Sequence, residues 1–308
     1  MEDIKILYLK VNQNCNAHCF MCDFWKNSNA EIMQKQFEDI LSRIGKVKMI
    51  RFTGGEPLLC KKISEYIYKC HLLGVKTSII TNGLILNEKI DELVKSGLDQ
   101  IIISIDGSIG ELHDTLRGVN GLLEKIDIAL KNIREKYPSL HIRVNTVVSE
   151  KNISNLSDLA FWLEERNVKS WSIIPVKLEG YKWSEKMSFE DFERNYCAFK
   201  KAINKCKIHL LGYSANWAGD LNTFWKENVY IRPKGICCTT QKIAFYDPFM
   251  EHIYPCNCIP HRKKYFENEV EEKEWYFLHG HEYCMGCEPL NAYCADFPRK
   301  IDEDIFNF

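Results

Sequence analysis

Six short apolar runs, rich in Ile, Val and Leu, alternate with helix-like segments over the first 175 or so residues, and this alternation restricts the fold more than any other feature. The runs cover residues 4–11, 47–53, 76–81, 100–105, 141–148 and 170–175. Between them, 33–44, 61–73, 87–96, 119–136 and 154–166 read as helices, with Gly74, Gly97 and Pro138 as stop signals. Strand–helix–strand repetition predicts a parallel sheet with right-handed crossovers, and near-continuous apolar runs predict strands covered on both faces. Six units fall short of the eight that close a barrel. The expected fold is therefore α/β: a partial (β/α)6 TIM barrel over residues 1–186. A linker with one helix (187–230) and a small Cys-rich α+β domain (231–308) follow.

The ends of the predicted strands carry the unusual residues. After the first comes Asn14-Cys-Asn-Ala-His-Cys-Phe-Met-Cys-Asp23, with Cys15, Cys19 and Cys22 spaced C-x3-C-x2-C. After the second comes Gly54-Gly55-Glu56-Pro57, after the third Asn82-Gly83, and after the fourth Asp106-Gly107. Active sites of barrels and open α/β sheets sit at this carboxyl end. Three thiolates can hold three irons of a [4Fe–4S] cluster and leave the fourth open for chemistry. A zinc ion with His18 as a fourth ligand, or reduced core thiols, are the alternatives at this point.

The chain has 308 residues, a formal charge of −1 and 14 cysteines. The near-neutral balance gives no sign of a nucleic-acid or membrane surface. The start, Met-Glu-Asp-Ile-Lys, has no apolar signal region, and no run of about 18 apolar residues occurs. A cytoplasmic location is expected. A disulfide framework suits small secreted domains, so the cysteines point to metal sites. They gather at both ends: the triplet, then Cys237, Cys238, Cys256, Cys258, Cys284, Cys287 and Cys294. Cys60, Cys70, Cys197 and Cys206 lie between and are expected as buried apolar thiols.

The cysteine triplet, Gly54-Gly55-Glu56-Pro57, Asn82-Gly83, Ser104-Ile-Asp106-Gly107 and Arg117-Gly118, in this order over about residues 4–180, resemble the radical S-adenosylmethionine superfamily. The resemblance implies a [4Fe–4S] cluster on Cys15, Cys19 and Cys22, with S-adenosylmethionine chelating the open iron. It implies that an electron cleaves the sulfonium to methionine and a 5′-deoxyadenosyl radical. An electron donor such as flavodoxin or ferredoxin would be the partner. Residues Gly54 to Glu56, with Pro57 closing the motif, would serve the methionine amino group; the Gly pair would let backbone approach the ligand. Asn82 belongs to the same set of turns. Ser104 and Asp106 match the position that contacts the ribose in relatives. Arg143 and Asn145 share one face of the fifth strand and are expected inside the barrel, near cofactor or substrate. Relatives commonly place an aromatic residue before the third cysteine; here Met21 stands there and the aromatic is Phe20, so the resemblance implies Met21 as the residue packing beside the adenine.

Residues 245–255 read as a β-hairpin between Cys238 and Cys256, and Cys284-Met-Gly-Cys287 follows. This C-x17-C…C-x2-C pattern resembles the twitch domain, a shortened SPASM auxiliary-cluster domain. It implies a second, fully ligated [4Fe–4S] cluster on Cys238, Cys256, Cys284 and Cys287. Cys237 and Cys258 are alternative ligands, and a four-cysteine zinc site is the competing reading. A full SPASM domain carries two auxiliary clusters, but Cys237-Cys238 and Cys256-x-Cys258 do not match its spacing. The twitch class includes the aminocyclitol dehydrogenase of butirosin biosynthesis. The resemblance therefore implies oxidation or epimerisation of a small polar substrate, a sugar or aminocyclitol. Cys258 and Cys294 are the spare thiols for hydrogen return in an epimerase. The alternative is a peptide maturase forming thioether or carbon–carbon links. Such enzymes often carry a leader-binding domain ahead of the barrel, and strand one beginning by residue 4 leaves no expected room for it. Substrate contacts are expected from Glu179, Tyr181, Trp183 and Trp217, each of which can equally be packing.

Overall fold

The structure, a computed structural model, describes residues 5–43, 47–176, 178, 181–211, 221–227, 243–249 and 252–254. Six strands and their helices follow the predicted alternation: β1 (Ile6–Asn12), α1 (Gln34–Arg43), β2 (Met49–Gly54), α2 (Ile63–Leu72), β3 (Lys76–Thr81), α3 (Leu86–Lys95) and β4 (Gln100–Ser104). After β4 come α4 (Gly110–Arg117), α5 (Leu122–Lys136), β5 (His141–Val148), α6 (Leu156–Glu165) and β6 (Ser170–Pro175). Then follow α7 (Phe189–Ile203), β7 (His209–Leu210), α8 (Leu221–Glu227), β8 (Ile243–Asp247) and β9 (His252–Tyr254). β1 to β6 pair in sequence order and in parallel.

The sheet is larger than the six strands expected. Its order is β7-β6-β5-β4-β3-β2-β1-β8-β9, with β7 parallel to β6 and β8 parallel to β1. β8 and β9 form the predicted hairpin, Phe245 facing Tyr254 and Asp247 facing His252. That hairpin was expected in a separate small domain. Instead it extends the barrel sheet at its β1 edge, because β1, as first strand, has an open side that an added strand satisfies. Tyr8 and Phe245 stack at 4.5 Å between ring centres. Lys10 Nζ pairs with Asp247 Oδ2 at 2.9 Å and lies 5.1 Å from the Phe24 ring centre.

The two faces of the strands separate two kinds of interior. Leu7, Leu9, Ile50, Phe52, Ile79, Ile101, Ile103 and Val144 pack against the helices in one apolar core. The alternate positions face the concave side and are largely polar: Tyr8, Arg51, Ser78, Gln100, Arg143 and Ser172. Arg51 donates to Ser78 Oγ (3.0 Å), Tyr8 Oη (2.7 Å) and Gln100 Oε1 (3.2 Å), so a cation sits deep in the sheet's concave face with oxygen partners.

α7 uses its aromatic stripe as core: Phe192 and Phe199 are fully buried, with Trp171 edge-on to Phe199. Cys60 and Cys70 are buried, and burial pushes both thiols up to about 12. Cys197 departs from expectation by being exposed, and Cys206 is half-buried. Position 197 falls off the α7 stripe that Phe192, Tyr196 and Phe199 present to the core. Among the described residues no helix is long and apolar enough to cross a membrane.

Candidate active site

The cysteine loop leaves β1 at the carboxyl end of the sheet and is braced from below by two strand-end turns and one helix end. Asn12 pairs with Gly54 across β1 and β2. Gly55 N–H donates to the Asn12 carbonyl (3.3 Å) and Glu56 N–H to the Asn14 carbonyl (2.8 Å). Gly54 has φ +142°, and a Cβ there would lie 2.5 Å from the Asn12 carbonyl oxygen. A Cβ on Gly55 would lie 1.9 Å from the Asn14 carbonyl oxygen. The Gly pair therefore makes room for the backbone of the cysteine loop itself, a need closer at hand than ligand approach.

Glu56 is 1% exposed. Its carboxylate accepts from Leu58 N–H (3.0 Å), Thr81 Oγ1 (2.8 Å) and Asn82 N–H (2.7 Å). Burial pushes it up to about 7, and the three donors oppose that shift. Pro57 is buried at the start of the short turn that these bonds close. Asn82 then reaches back: its Nδ2 donates to Asn16 Oδ1 (2.7 Å) and lies 3.8 Å from Cys15 Sγ. The second and third strand ends thus grip the first half of the cysteine loop.

The second half is gripped by α4, a helix the sequence reading did not separate from the turn around it. His18 N–H donates to the Arg117 carbonyl (3.0 Å) and Phe20 N–H to the Leu116 carbonyl (3.2 Å). Arg117 Nη1 lies 3.8 Å from Cys19 Sγ, and its Nε pairs with Asp106 Oδ2 at 2.6 Å. Asp106 is fully buried, and its Oδ1 accepts from Val147 N–H (2.8 Å). Its carboxylate is thus held by Arg117 and by β5. Burial raises its affinity for a proton while Arg117 lowers it.

Several residues that hold these groups escaped the sequence reading. His113 Nδ1 accepts from Asp106 N–H (3.0 Å), and Asn152 Nδ2 donates to the Asp106 and Val147 carbonyls (2.8 and 2.9 Å). Asp114 accepts from Gly121 and Leu123 N–H at the start of α5. The signal was the spacing His113-Asp114-x-x-Arg117-Gly118, which puts four polar or turn-forming residues on one helix end.

Ser104, Asn145 and Ser172 are in register across β4, β5 and β6. Arg143 Nε donates to Asn145 Oδ1 (3.2 Å) and Nη2 to Ser172 Oγ (2.8 Å), so both residues do share the concave face. Arg143 is 5% exposed, while Ser104 and Asn145 are half-buried at the mouth. Met21 is half-buried and packs at the edge of the apolar core. Tyr181 and Trp183 are packing residues: Tyr181 Oη donates to Glu150 Oε2 (2.7 Å), and its ring meets Trp183 edge-on. Glu179, Trp217, Cys237, Cys238, Cys256, Cys258, Cys284, Cys287 and Cys294 lie outside the described residues.

The loop suits a multi-iron group. Cys15, Cys19 and Cys22 are all free thiols, and two of them have an N–H donor from a neighbouring element at the sulfur. Among the described residues no three or more His, Cys, Asp or Glu side chains gather as the ligands of a single ion do. His18 is exposed and turned edge-on to Trp25. Burial pushes the Cys15 thiol up to about 11 and also raises Cys19, so ligation of iron there must release protons.

Comparison with known proteins agrees. A family model described as the radical SAM superfamily matches residues 9–163. The uncharacterized protein MJ0907 of Methanocaldococcus jannaschii is 31% identical over 215 residues, covering 67% of this chain and 72% of that protein. An AdoMet-dependent heme synthase of Methanosarcina barkeri is 25% identical over 67% of this chain, and a probable GTP 3′,8-cyclase of Methanocaldococcus jannaschii 27% over 58%. The chain spans 60% and 63% of those two proteins. Among solved structures, Streptococcus suis SuiB bound to S-adenosylmethionine has a TM-score of 0.68 at 18% identity, covering 94% of this chain and 72% of its own. The anSMEcpe structure with AdoMet and a Cp18Cys peptide has a TM-score of 0.63 at 19% identity, covering 90% and 81%. A cysteine loop at the carboxyl end of a parallel sheet, its free thiols met by N–H donors, and a family match that spans β1 through α6 place this chain in the radical SAM superfamily, whose members use a [4Fe–4S] cluster and S-adenosylmethionine.

Proposed function

We propose that this enzyme abstracts hydrogen from a small polar substrate, a sugar or aminocyclitol, and oxidises or epimerises it. The observation that carries the reading is the mouth of the sheet beside the cysteine loop. Ser104 and Asn145 stand there half-buried and in register, with the buried Arg143 guanidinium held between Asn145 and the buried Ser172. Hydroxyl, amide and guanidinium groups suit a ligand rich in hydroxyl or amino groups. The cluster and S-adenosylmethionine, when bound, supply a 5′-deoxyadenosyl radical. Cys15, Cys19 and Cys22 would hold the cluster through three thiolates, a set that leaves one iron without a protein ligand. The backbone of Gly54 to Glu56 and the Asn82 side chain hold the loop in place. Ser104, Arg143 and Asn145 orient what enters the mouth. Cys238, Cys256, Cys284 and Cys287 are the proposed ligands of a second [4Fe–4S] cluster. Such a cluster, held by these four cysteines, would supply a one-electron acceptor, which is what a dehydrogenase needs in order to finish as a ketone.

The test is incubation of the iron-loaded protein with titanium(III) citrate, S-adenosylmethionine and aminocyclitol or sugar candidates. One ketone formed per 5′-deoxyadenosine supports the dehydrogenase. Solvent deuterium in an unoxidised product sinks that version in favour of the epimerase. Replacing Cys15, Cys19 and Cys22 together with Ala should leave about four irons. An iron-free variant would remove the auxiliary cluster from the reading.

A second reading, a peptide maturase, is supported by the reach of the fold match. At 94% and 90% of this chain it runs past the barrel, to SuiB and to an anSMEcpe structure holding a peptide. A further SuiB structure holds the precursor peptide SuiA. Cross-linked peptide of reduced mass would establish that reading, and a small-molecule ketone would exclude it.

A further inference from the structure

Arg117 is built into the cysteine loop by both its backbone and its side chain. Its carbonyl holds His18 N–H, and the next residue, Gly118 (φ +64°), lies so close that a Cβ would sit 2.5 Å from the His18 carbonyl oxygen. The guanidinium then turns toward the same loop, Nη1 at 3.8 Å from Cys19 Sγ. Its other side meets Asp106 at 2.6 Å, with side-chain exposures of only 9% and 0%. Asp106 has no freedom to leave. Its Oδ1 is held by Val147 N–H, its own N–H by His113 and its carbonyl by Asn152. A fixed positive charge therefore touches one thiol of the triplet, with its counter-charge one step further away.

We infer that Arg117 sets the reduction potential of the cluster on Cys15, Cys19 and Cys22. It does so by donating a charge-assisted hydrogen bond to the Cys19 sulfur, and Asp106 limits the effect. This rests on membership of the family, not on any particular substrate. Reduction adds one electron, from a flavodoxin- or ferredoxin-class donor, and no proton. The added negative charge is stabilised by a nearby guanidinium and by hydrogen bonds to sulfur, both of which raise the potential. Burial keeps water from screening the guanidinium. Asp106 pulls the other way, because its carboxylate lies on the far side of the same guanidinium.

Three variants test this: R117K, D106N and the doubly neutral R117Q/D106N. Iron content is measured, and the reduction midpoint of the cluster whose EPR signal changes on adding S-adenosylmethionine is followed by titanium(III) titration. In R117Q/D106N the reduction equilibrium should move at least tenfold toward the oxidised form, about 59 mV for one electron. In R117K, which keeps the charge, it should stay within about threefold of the parent. In D106N it should move toward the reduced form. An unchanged or raised potential in iron-loaded R117Q/D106N overturns the proposal. So does R117K falling as far as the double variant, since packing rather than charge would then be responsible. If the double variant does not retain iron, D106N decides: an unchanged or lowered potential in iron-loaded D106N overturns the proposal.

Discussion

Replacing Gly55 with Ala isolates the packing of the cysteine loop against the second strand end. The φ angle at Gly55 is not in the left-handed region, so the cost is steric. The new Cβ would lie 1.9 Å from the Asn14 carbonyl oxygen and 2.4 Å from its carbon. Ordinary contact begins at 3.4 Å, so the carbonyl must retreat by about 1.5 Å. Both contact atoms are backbone, and the retreat takes with it the 2.8 Å bond from Glu56 N–H to that carbonyl. Overpacking of this kind costs about 1–3 kcal/mol and the lost bond about 1 kcal/mol more. For a chain of 308 residues that corresponds to roughly 3–6 °C in Tm. Cys15 follows Asn14 directly, so the same movement misplaces the first thiol. Thermal unfolding of the apoprotein by circular dichroism and iron content after reconstitution are the two measurements. Gly110→Ala is the control: it opens α4 with nothing within 4 Å and should be neutral or stabilising by about 0.5–1 kcal/mol. Gly74→Ala separates the other effect, since it too meets nothing but has φ +67°, and should cost about 1–2 kcal/mol from backbone alone. Wild-type Tm and iron in Gly55→Ala would refute the packing argument.

His113 is buried and held down at about 3, first by burial and then by Arg117. Its folded pKa lies below the unfolded value of about 6.5, so the unfolded state takes the proton first and stability falls as pH drops below about 6.5. The loss from this group is about 2 kcal/mol at pH 5. Glu56 works the opposite way: pushed up to about 7, it binds its proton better folded than unfolded, so stability falls as pH rises from about 4.5 to 7. His113→Asn, whose Oδ1 can accept from Asp106 N–H, should therefore raise Tm at pH 5 relative to pH 7.5 when compared with the parent; an unchanged difference between the two pH values would refute the assignment. Asn152→Asp should destabilise more than Asn152→Ala, by about 1–3 kcal/mol in urea unfolding, because it points a carboxylate at the Asp106 and Val147 carbonyls; an equal cost in both would refute it. Lys10→Met should raise hydrogen exchange in β8 about tenfold, roughly 1.4 kcal/mol of local stability, by removing the pair to Asp247; unchanged exchange would show that β8 is held by its backbone ladder alone.

How much was legible depended on the range of the interaction. The six strands and most helices were visible because burial on both faces demands unbroken apolar runs, and helix stops demand Gly or Pro. The cysteine triplet and the strand-end turns were visible because ligand spacing is local. The third brace of the cysteine loop was not, because α4 looks like part of a turn until Arg117 is seen beside Cys19, 98 residues away in sequence. The place of the β8–β9 hairpin was also hidden. Its turn is local, but its partner β1 lies more than two hundred residues earlier, and no periodicity records which open edge a strand will join.

The sequence by itself determined the alternating fold, the triplet and the family it belongs to, since each rests on patterns within a few residues. Only the tertiary structure decided what the motif residues do. Gly54 and Gly55 yield space to the cysteine loop, Glu56 ties three backbone and hydroxyl donors, and Asp106 faces Arg117 in a dry interior. The reason is physical: a carboxylate's role is set by which donors and charges surround it and by how much water reaches it, and both come from chain segments that meet only in the fold.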